Sequence, residues 1–263
     1  MHPIERLRFV ARASGADTAL LAQETAGALS AFVDDPAGLV TACRRIVSRH
    51  PANGPLWWLC SRVLCSVEPA REAWRAVEDL DTDATGGLLA ATLPDGATVC
   101  VVGWGSVVGE ALGHRGDLET LVIDVFDEGA GLVRRLRRDD VHAVDVPLPG
   151  LGAAAAGSDL VLLEASAVGP HGALAVAGST AAAAVAHHAG VPVWLVAGRG
   201  RLLPARVFDH ARALAAAHDE PWDRDDDHVP LELVECIAGP DGPEPVAAAL
   251  RRTDCPVAPE LLR

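Results

Sequence analysis

A group of small and hydroxyl-bearing residues has the right chemistry to hold an anion. Gly178, Ser179 and Thr180 come directly before a predicted helix of small residues at 181–189. The first N–H groups of a helix have no partner within the helix, and the helix dipole favours negative charge beside them. The same residues are also typical of a plain helix cap that binds only water. The sequence therefore predicts either a phosphate site or a simple cap here.

Polar side chains next to two predicted strands could reach the same pocket. Glu164 and Ser166 follow an apolar run at 161–163 and are two residues apart, so they share one face of the strand. A buried carboxyl in this position suits an acid, but it equally suits a hydrogen-bonded structural group, which we favour. Arg199 and Arg201 follow the next strand and could bind a phosphate or pair with acidic surface groups.

A glycine-rich turn indicates a different chemistry. Gly103 begins a turn with three glycines at 103–109, after a strand at 98–102, and Asp124 ends the next strand about twenty residues on. This order resembles a dinucleotide-binding fingerprint, in which the turn holds the pyrophosphate. Trp104 is bulky for that role and the following helix is short, while Ser106 offers a hydroxyl group to a smaller ligand.

The elements that must position these residues alternate between strand and helix. We predict strands at 98–102, 121–124, 142–146, 161–163 and 191–196, with helices between them and a short edge segment at 173–176. Such alternation is typical of a doubly wound parallel sheet. Residues 81–96 are predicted as linker and turn. Apolar residues recur at helical spacing before them and predict four or five helices. We predict a helical cap domain at residues 1–90 and a Rossmann-like domain at residues 91–263.

Charge and composition exclude several classes of function. The formal net charge is −14, and such a surface would repel the phosphates of nucleic acid. Four arginines cluster at 134–138, and we interpret them as a solvated helix face. All 22 basic residues are arginine and tyrosine is absent, which excludes a Schiff-base lysine and a Tyr–Lys dehydrogenase pair.

The cysteines and the termini support a cytoplasmic protein. The six cysteines lack Cys-x-x-Cys spacing and nearby histidines, so we expect free thiols and no metal site. The first residues do not begin a signal peptide, and no apolar run reaches the ~20 residues of a membrane helix. We expect no membrane association.

Several segments together resemble a known family. They are Asp159-Leu160-Val161-Leu162, Glu164-Ala165, the turn at Gly169, Gly178-Ser179, Gly190-Val191-Pro192-Val193 and the tail from His228 to Pro245. They are similar to the α/β/δ regulatory subunits of translation initiation factor 2B, whose relatives include methylthioribose-1-phosphate isomerase and ribose-1,5-bisphosphate isomerase. The resemblance runs from about Thr98 to Pro245, and it implies a helical domain over the mouth of the site and a dimer.

The resemblance also implies which catalytic groups are missing. Gly103 takes the position of the isomerases' cysteine, Ser166 that of their aspartate, and Ala175-Val176 that of their Asn-Lys pair. Glycine and serine do not supply the acid and base of a proton transfer. We therefore expect a homodimeric protein that binds a phosphorylated small molecule without isomerase activity or a cofactor. Three alternatives stay open: an isomerase using Glu164 as a shifted acid, an NAD(P)- or nucleotide-dependent enzyme using residues 103–109, and a structural partner subunit.

Overall fold

Helices open the described part of the chain. The structure is a computed structural model that describes residues 18–32, 34–127, 129–217 and 220–263, so residues 1–17 of the predicted cap lie outside it. The first four helices are Thr18–Leu29 (α1), Pro36–Arg49 (α2), Gly54–Cys65 (α3) and Pro69–Asp81 (α4). Three of them have proline in the first turn, where the missing N–H costs no hydrogen bond. The predicted helical region is confirmed over these residues.

Asparagine and aspartate side chains fix where two of these helices begin. Asp35 Oδ1 accepts a hydrogen bond of 2.9 Å from an amide in the first turn of α2. Asn53 Oδ1 accepts one of 3.1 Å from the Leu56 amide of α3. These caps satisfy donors that a helix start leaves unpaired. Trp57 and Trp58, in the first turns of the capped α3, are fully buried in the core.

A fifth helix corrects the sequence prediction. The segment predicted as linker and turn contains α5, Thr85–Thr92, which begins beside a hydrogen bond from the Thr85 amide to Asp83 Oδ1. Gly86 and Gly87 disfavour a helix by about 1 kcal/mol each. Burial of Leu89 against the sheet outweighs that cost. The domain boundary predicted at residue 90 falls inside this helix.

A nine-stranded sheet forms the centre of the described structure. Its strands are Thr98–Val102 (β1), Glu119–Asp124 (β2), His142–Pro147 (β3), Leu160–Gly169 (β4), Gly172–Val176 (β5), Val193–Val196 (β6), Asp226–Val229 (β7), Cys236–Gly239 (β8) and Gly242–Pro245 (β9). The strands β3-β2-β1-β4-β6-β8 are parallel, and β9 is antiparallel to β8. β5 turns back along β4 and also pairs with β7, so it is not the edge segment expected from the sequence.

Helices cover both faces of the sheet, as the predicted fold requires. They are Ser106–Gly113 (α6), Gly129–Arg138 (α7), Leu151–Gly157 (α8), Ser179–Ala189 (α9), Ala205–Ala215 (α10) and Val246–Ala249 (α11). α5, α6 and α7 share one core with the sheet, while α8 and α9 pack on a second core through small alanine side chains. The predicted doubly wound α/β fold is confirmed.

The helical region and the sheet share a third core. Trp57 and Trp58 of α3 belong to the same buried cluster as Ala167 and Leu174 of the sheet and Phe208 of α10. The helical region is therefore packed on the sheet through large apolar side chains. No helix among the described residues has the length and apolar character needed to cross a membrane.

Candidate ligand-binding cleft

A large open cleft lies where the order of the strands reverses. β1 and β4 are neighbours in the sheet, but the chain leaves β1 for β2 on one side and returns to β4 on the other. Ligands of doubly wound sheets bind outside the carboxyl ends of strands at such a switch point. The cleft has a volume of about 1190 Å³, and its far wall comes from the loop between α2 and α3.

Five of the residues predicted from the sequence come together in this cleft. They are Gly103, Ser106, Glu164, Ser166 and Arg201. Gly103 has a φ of +67°, which turns the chain sharply after β1. A Cβ at this position would lie 3.2 Å from Val176 in a backbone conformation that side chains rarely adopt. A catalytic cysteine therefore does not fit here without a change in the loop.

Glu164 joins three elements at the floor of the cleft. Its carboxylate accepts hydrogen bonds from the Val108 amide at 2.9 Å and from Ser106 Oγ at 3.3 Å, both in the first turn of α6. It also pairs with the Arg201 guanidinium at 2.8 Å, and both side chains are about nine-tenths buried. The Arg201 guanidinium donates a further hydrogen bond to the Ala165 carbonyl. These contacts make Glu164 a structural anion that caps α6.

Sequence reasoning missed a second carboxyl group in the cleft, that of Asp226. Ser166 Oγ donates a long hydrogen bond of 3.4 Å to Asp226 Oδ1. Burial, followed by the charge of Asp225, raises the pKa of Asp226 to about 6, and the hydrogen bond from Ser166 opposes this shift. Residues 225–227 are all aspartate, so only the alternation of side chains along β7 could have singled out the middle one.

Arginine side chains dominate the charge of the cleft. Six line it: Arg49, Arg134, Arg135, Arg201, Arg212 and Arg224. Four carboxylates accompany them, those of Asp127, Glu164, Asp225 and Asp226. Arg134 is exposed and Arg135 is half-buried, in agreement with the solvated helix face predicted from the sequence, and both also line the open cleft. Cations outnumber anions here although the chain as a whole has a charge of −14.

The predicted phosphate site at the start of α9 lies outside this cleft. Ser179 is 1% exposed, and its hydroxyl group has no hydrogen-bond partner among the described residues. The Thr180 amide donates to Asp227 Oδ2 at 2.9 Å, and the Thr180 hydroxyl donates to the His228 carbonyl at 3.2 Å. Gly178 precedes them with a φ of +90°. A carboxylate of the protein itself thus lies where the predicted anion would bind.

Arg199 also lies apart from the cleft. Its amide donates to Asp83 Oδ2 at 2.7 Å, and its guanidinium lies 3.4 Å from Asp254 Oδ2. It lines a small pocket of about 40 Å³ on the other side of the loop after β6. Of the two arginines predicted after this strand, only Arg201 reaches the cleft.

The glycine turn resembling a dinucleotide site has its helix start occupied. A Cβ at Gly105 would lie within contact distance of the Glu164 carboxylate, which therefore fills the space beside the start of α6. Asp124 accepts a hydrogen bond of 3.1 Å from the Gly129 amide and so belongs to the start of α7. Trp104 and Phe126 are nearly half exposed and line the cleft. Within the described residues, no group of three or more His, Cys, Asp or Glu side chains is arranged to hold a metal ion.

Comparisons with known proteins identify the fold. No model of a known protein family matches the sequence, and no curated protein matches it. Among solved structures, translation initiation factor eIF-2B from Pyrococcus horikoshii OT3 is similar with a TM-score of 0.77 and 16% identity, over 94% of this chain and 98% of that chain. eIF2B beta from Chaetomium thermophilum is similar with a TM-score of 0.73 and 18% identity, over 98% and 91%. The tetrameric eIF2B-beta2-delta2 complex of the same organism gives 0.71 and 19%, over 94% and 91%. The chain has the fold of eIF2B subunits, as the resemblance in its sequence predicts.

Proposed function

We propose that this chain is a protein of the initiation factor 2B type that binds a phosphorylated small metabolite, a sugar phosphate or a nucleotide, without isomerising it. The observation that carries the proposal is the concentration of six arginines in one cleft of an acidic chain. Guanidinium groups are well suited to phosphate, since their planar N–H donors match its oxygens. The position of the cleft at the switch point of the sheet supports the same function.

Three of these arginines are available for a ligand. Arg134, Arg135 and Arg212 have no ion-pair partner within the part of the chain that the structure describes. Arg201, in contrast, already neutralises Glu164. An anion entering the cleft would therefore gain unpaired cations without breaking a buried ion pair.

The contacts of Glu164 favour simple ligand binding over a shifted catalytic acid and over a dinucleotide site. Its carboxylate accepts three hydrogen bonds, which supports a structural role over that of a shifted catalytic acid. The same carboxylate lies beside the start of α6, where a pyrophosphate would have to bind, and this favours a ligand with one phosphate over a dinucleotide. The absence of the cysteine and aspartate that the resemblance assigns to catalysis, at Gly103 and Ser166, supports binding without isomerisation.

Thermal unfolding with matched ligands tests the proposal. A ligand present at 100 times its dissociation constant stabilises the folded state by about 2.7 kcal/mol. We expect ribose 5-phosphate to raise the Tm and unphosphorylated ribose to leave it unchanged. Stabilisation by NAD alone would favour the nucleotide-dependent enzyme. Stabilisation by no probe would favour the structural partner subunit.

An arginine variant with a matched control locates the site. Arg134→Ala removes a cleft cation from α7, while Arg138→Ala removes an exposed arginine of the same helix that does not line the cleft. Loss of a charged hydrogen bond to phosphate should weaken binding about tenfold or more in Arg134→Ala. Arg138→Ala should bind as the wild type does. Equal affinities in the two variants would contradict the proposed site.

The proposal includes a cytoplasmic homodimer. A dimer is what the resemblance implies. Light scattering on the purified chain gives its mass directly. A monomer at micromolar concentration would remove this part of the proposal and leave ligand binding untouched.

A further inference from the structure

The carboxyl group of Asp226 points into the cleft because of its place on β7. Asp226 pairs in register with Val176 of β5, and side chains alternate along the strand. Asp226 and His228 line the cleft, whereas Asp227 points to the other side and accepts the hydrogen bond from the Thr180 amide. The Asp227 carboxylate therefore holds the start of α9, and the Asp226 carboxylate faces the cleft.

Asp226 has few partners for a carboxylate in this position. An ionised carboxylate has about four acceptor sites. Within the described ranges of the chain, Asp226 receives only the 3.4 Å hydrogen bond from Ser166 and forms no ion pair. The other titratable or charged side chains of the cleft are His50, Asp127, Glu164, Asp225 and His228 with the six arginines. Because Asp226 is partly exposed to the open cleft, a ligand that enters it can supply donors to these free acceptor sites in place of water.

The charge of the cleft indicates which donors these are. An ammonium group would satisfy a carboxylate, but it would enter a cleft in which arginines outnumber carboxylates six to four. Hydroxyl groups supply the same hydrogen bonds without this repulsion. Ser166 donates its single hydroxyl proton to Asp226, and its oxygen can accept a hydrogen bond from a further hydroxyl group. The arrangement fits a ligand with a phosphate at one end and hydroxyl groups at the other.

We propose that Asp226, assisted by Ser166, selects the hydroxylated part of the ligand, accepting hydrogen bonds from its hydroxyl groups while the arginines hold its phosphate. The inference rests on the proposed function and narrows its ligand to a phosphorylated polyhydroxy compound such as a sugar phosphate. It assigns Asp226 a role in specificity and none in proton transfer. An anion without alcohol groups still meets the arginines, but it gains no hydrogen bonds from Asp226 and is repelled by its negative charge.

Calorimetric titration at two pH values with three probes tests this role. The probes are ribose 5-phosphate, inorganic phosphate and phosphoethanolamine, at pH 8 and pH 5. We expect the wild type to bind ribose 5-phosphate more than tenfold tighter than inorganic phosphate at pH 8. This preference should fall several-fold at pH 5, because a protonated carboxyl group accepts fewer hydrogen bonds and no longer repels inorganic phosphate. The ratio of the two affinities largely cancels the titration of the phosphate group that both probes share.

Asp226→Asn removes the charge and keeps the shape of the side chain. In this variant, the preference for ribose 5-phosphate should be small and equal at both pH values. Asp223→Asn, an exposed aspartate six residues before Val229 and outside the cleft, is the charge-matched control and should keep the wild-type preference. Ser166→Ala should lower the preference by less than Asp226→Asn does. A cooperative melting curve for each variant establishes that it is folded.

The outcomes separate this inference from the proposed function. Ribose 5-phosphate binding with an unchanged preference in Asp226→Asn would overturn the role of Asp226 and leave phosphate binding in place. Tightest binding of phosphoethanolamine, lost in Asp226→Asn, would overturn the choice of hydroxyl groups over an amine. Failure of all three probes to bind the wild type would overturn both the inference and the proposed function.

Discussion

The carboxyl groups of Glu164 and Asp226 have opposite environments. Glu164 lies two residues before Ser166 in the chain, and Asp226 accepts the hydrogen bond from Ser166. Glu164 is about nine-tenths buried, but the Arg201 guanidinium and the first turn of α6 supply its donors. Asp226 is partly buried with one long hydrogen bond and two aspartate neighbours. Pairing and hydrogen bonds offset the desolvation cost of a buried carboxylate, whereas an ionised carboxyl group without a cation keeps that cost. The floor of the cleft is thus held together by the paired carboxylate of Glu164, whereas the carboxyl group of Asp226 has no cation beside it among the described residues.

We predict that Asp226→Asn stabilises the protein in a pH-dependent way. The folded-state pKa of Asp226 is about 6, above the ordinary value of 3.8, so the folded protein holds this proton more tightly than the unfolded chain. The stability linked to this proton is fully present below pH 3.8 and is lost as the pH rises through 6. At 1.36 kcal/mol for each pH unit between these values, ionisation costs about 3 kcal/mol.

Urea denaturation measures this cost. The variant should gain up to about 3 kcal/mol over the wild type at pH 8, and about 1 kcal/mol near pH 4.5. Asp223→Asn should change little at either pH, since exposed substitutions usually stay within about 0.5 kcal/mol. A gain of equal size at both pH values would show that burial of the charge is not its cause.

At the scale of elements, the sequence was informative where burial produces a simple pattern. The strand predicted at 98–102 matches β1, because a parallel strand covered on both faces is a continuous apolar run. α5 was missed because its two glycines hide a helix whose stability comes from packing against the sheet. That Arg134 and Arg135 of α7 line the cleft was not predicted for a similar reason. Which arginines of that helix face the cleft depends on how it crosses the sheet, and no local pattern contains this information.

We predict that Glu164→Gln loosens the contact between β4, α6 and the loop after β6. Glutamine can still accept from the Val108 amide and the Ser106 hydroxyl, but it leaves the buried Arg201 guanidinium without a counter-charge. Removing one partner of a buried ion pair costs about 3–5 kcal/mol. The retained hydrogen bonds place this variant near the lower end, and the free energy of unfolding from urea titration measures it.

A matched pair of residues controls for charge alone. Glu244 pairs with Arg252 at 2.6 Å, but Arg252 is more than half exposed. Glu244→Gln should cost much less than Glu164→Gln because exposed ion pairs contribute little. Equal losses of unfolding free energy in the two glutamine variants would mean that the Glu164–Arg201 pair does not hold β4, α6 and the loop after β6 together.

At the scale of the whole molecule, the cleft exists because the helical region is packed closely against the sheet. Trp58 packs against Gly200, and its Nε1 donates to Asp254 Oδ1 at 2.9 Å. At the start of α3, Gly54 lies directly against the backbone of β4 and of the loop after β6. The elements that form this joint also carry Ser166 and Arg201 into the cleft. Binding of a ligand and packing of the helical region should therefore depend on each other.

Gly54→Ala tests this dependence. A Cβ here would lie 2.7 Å from the Ser166 carbonyl oxygen and 3.2 Å from Arg201 Cα, both backbone atoms that cannot rotate away. We expect α3 to shift outwards, with a cost of about 1–3 kcal/mol that is typical of overpacking. Each kcal/mol should lower the Tm by roughly 2–4 °C in a chain of this size. Ribose 5-phosphate should also stabilise this variant less than the wild type, because the floor of the cleft moves with the joint.

Gly87→Ala is the control for helix propensity, since Gly87 is an exposed residue of α5 with open space around its Cβ position. It should raise stability by up to about 1 kcal/mol and leave the ligand effect unchanged. A Gly54→Ala protein that melts at the wild-type temperature would mean that α3 is not closely packed against β4 and the loop after β6. One that is destabilised but keeps the full ligand effect would mean that binding does not depend on how closely the helical region is packed, because the cleft floor alone would then hold the ligand.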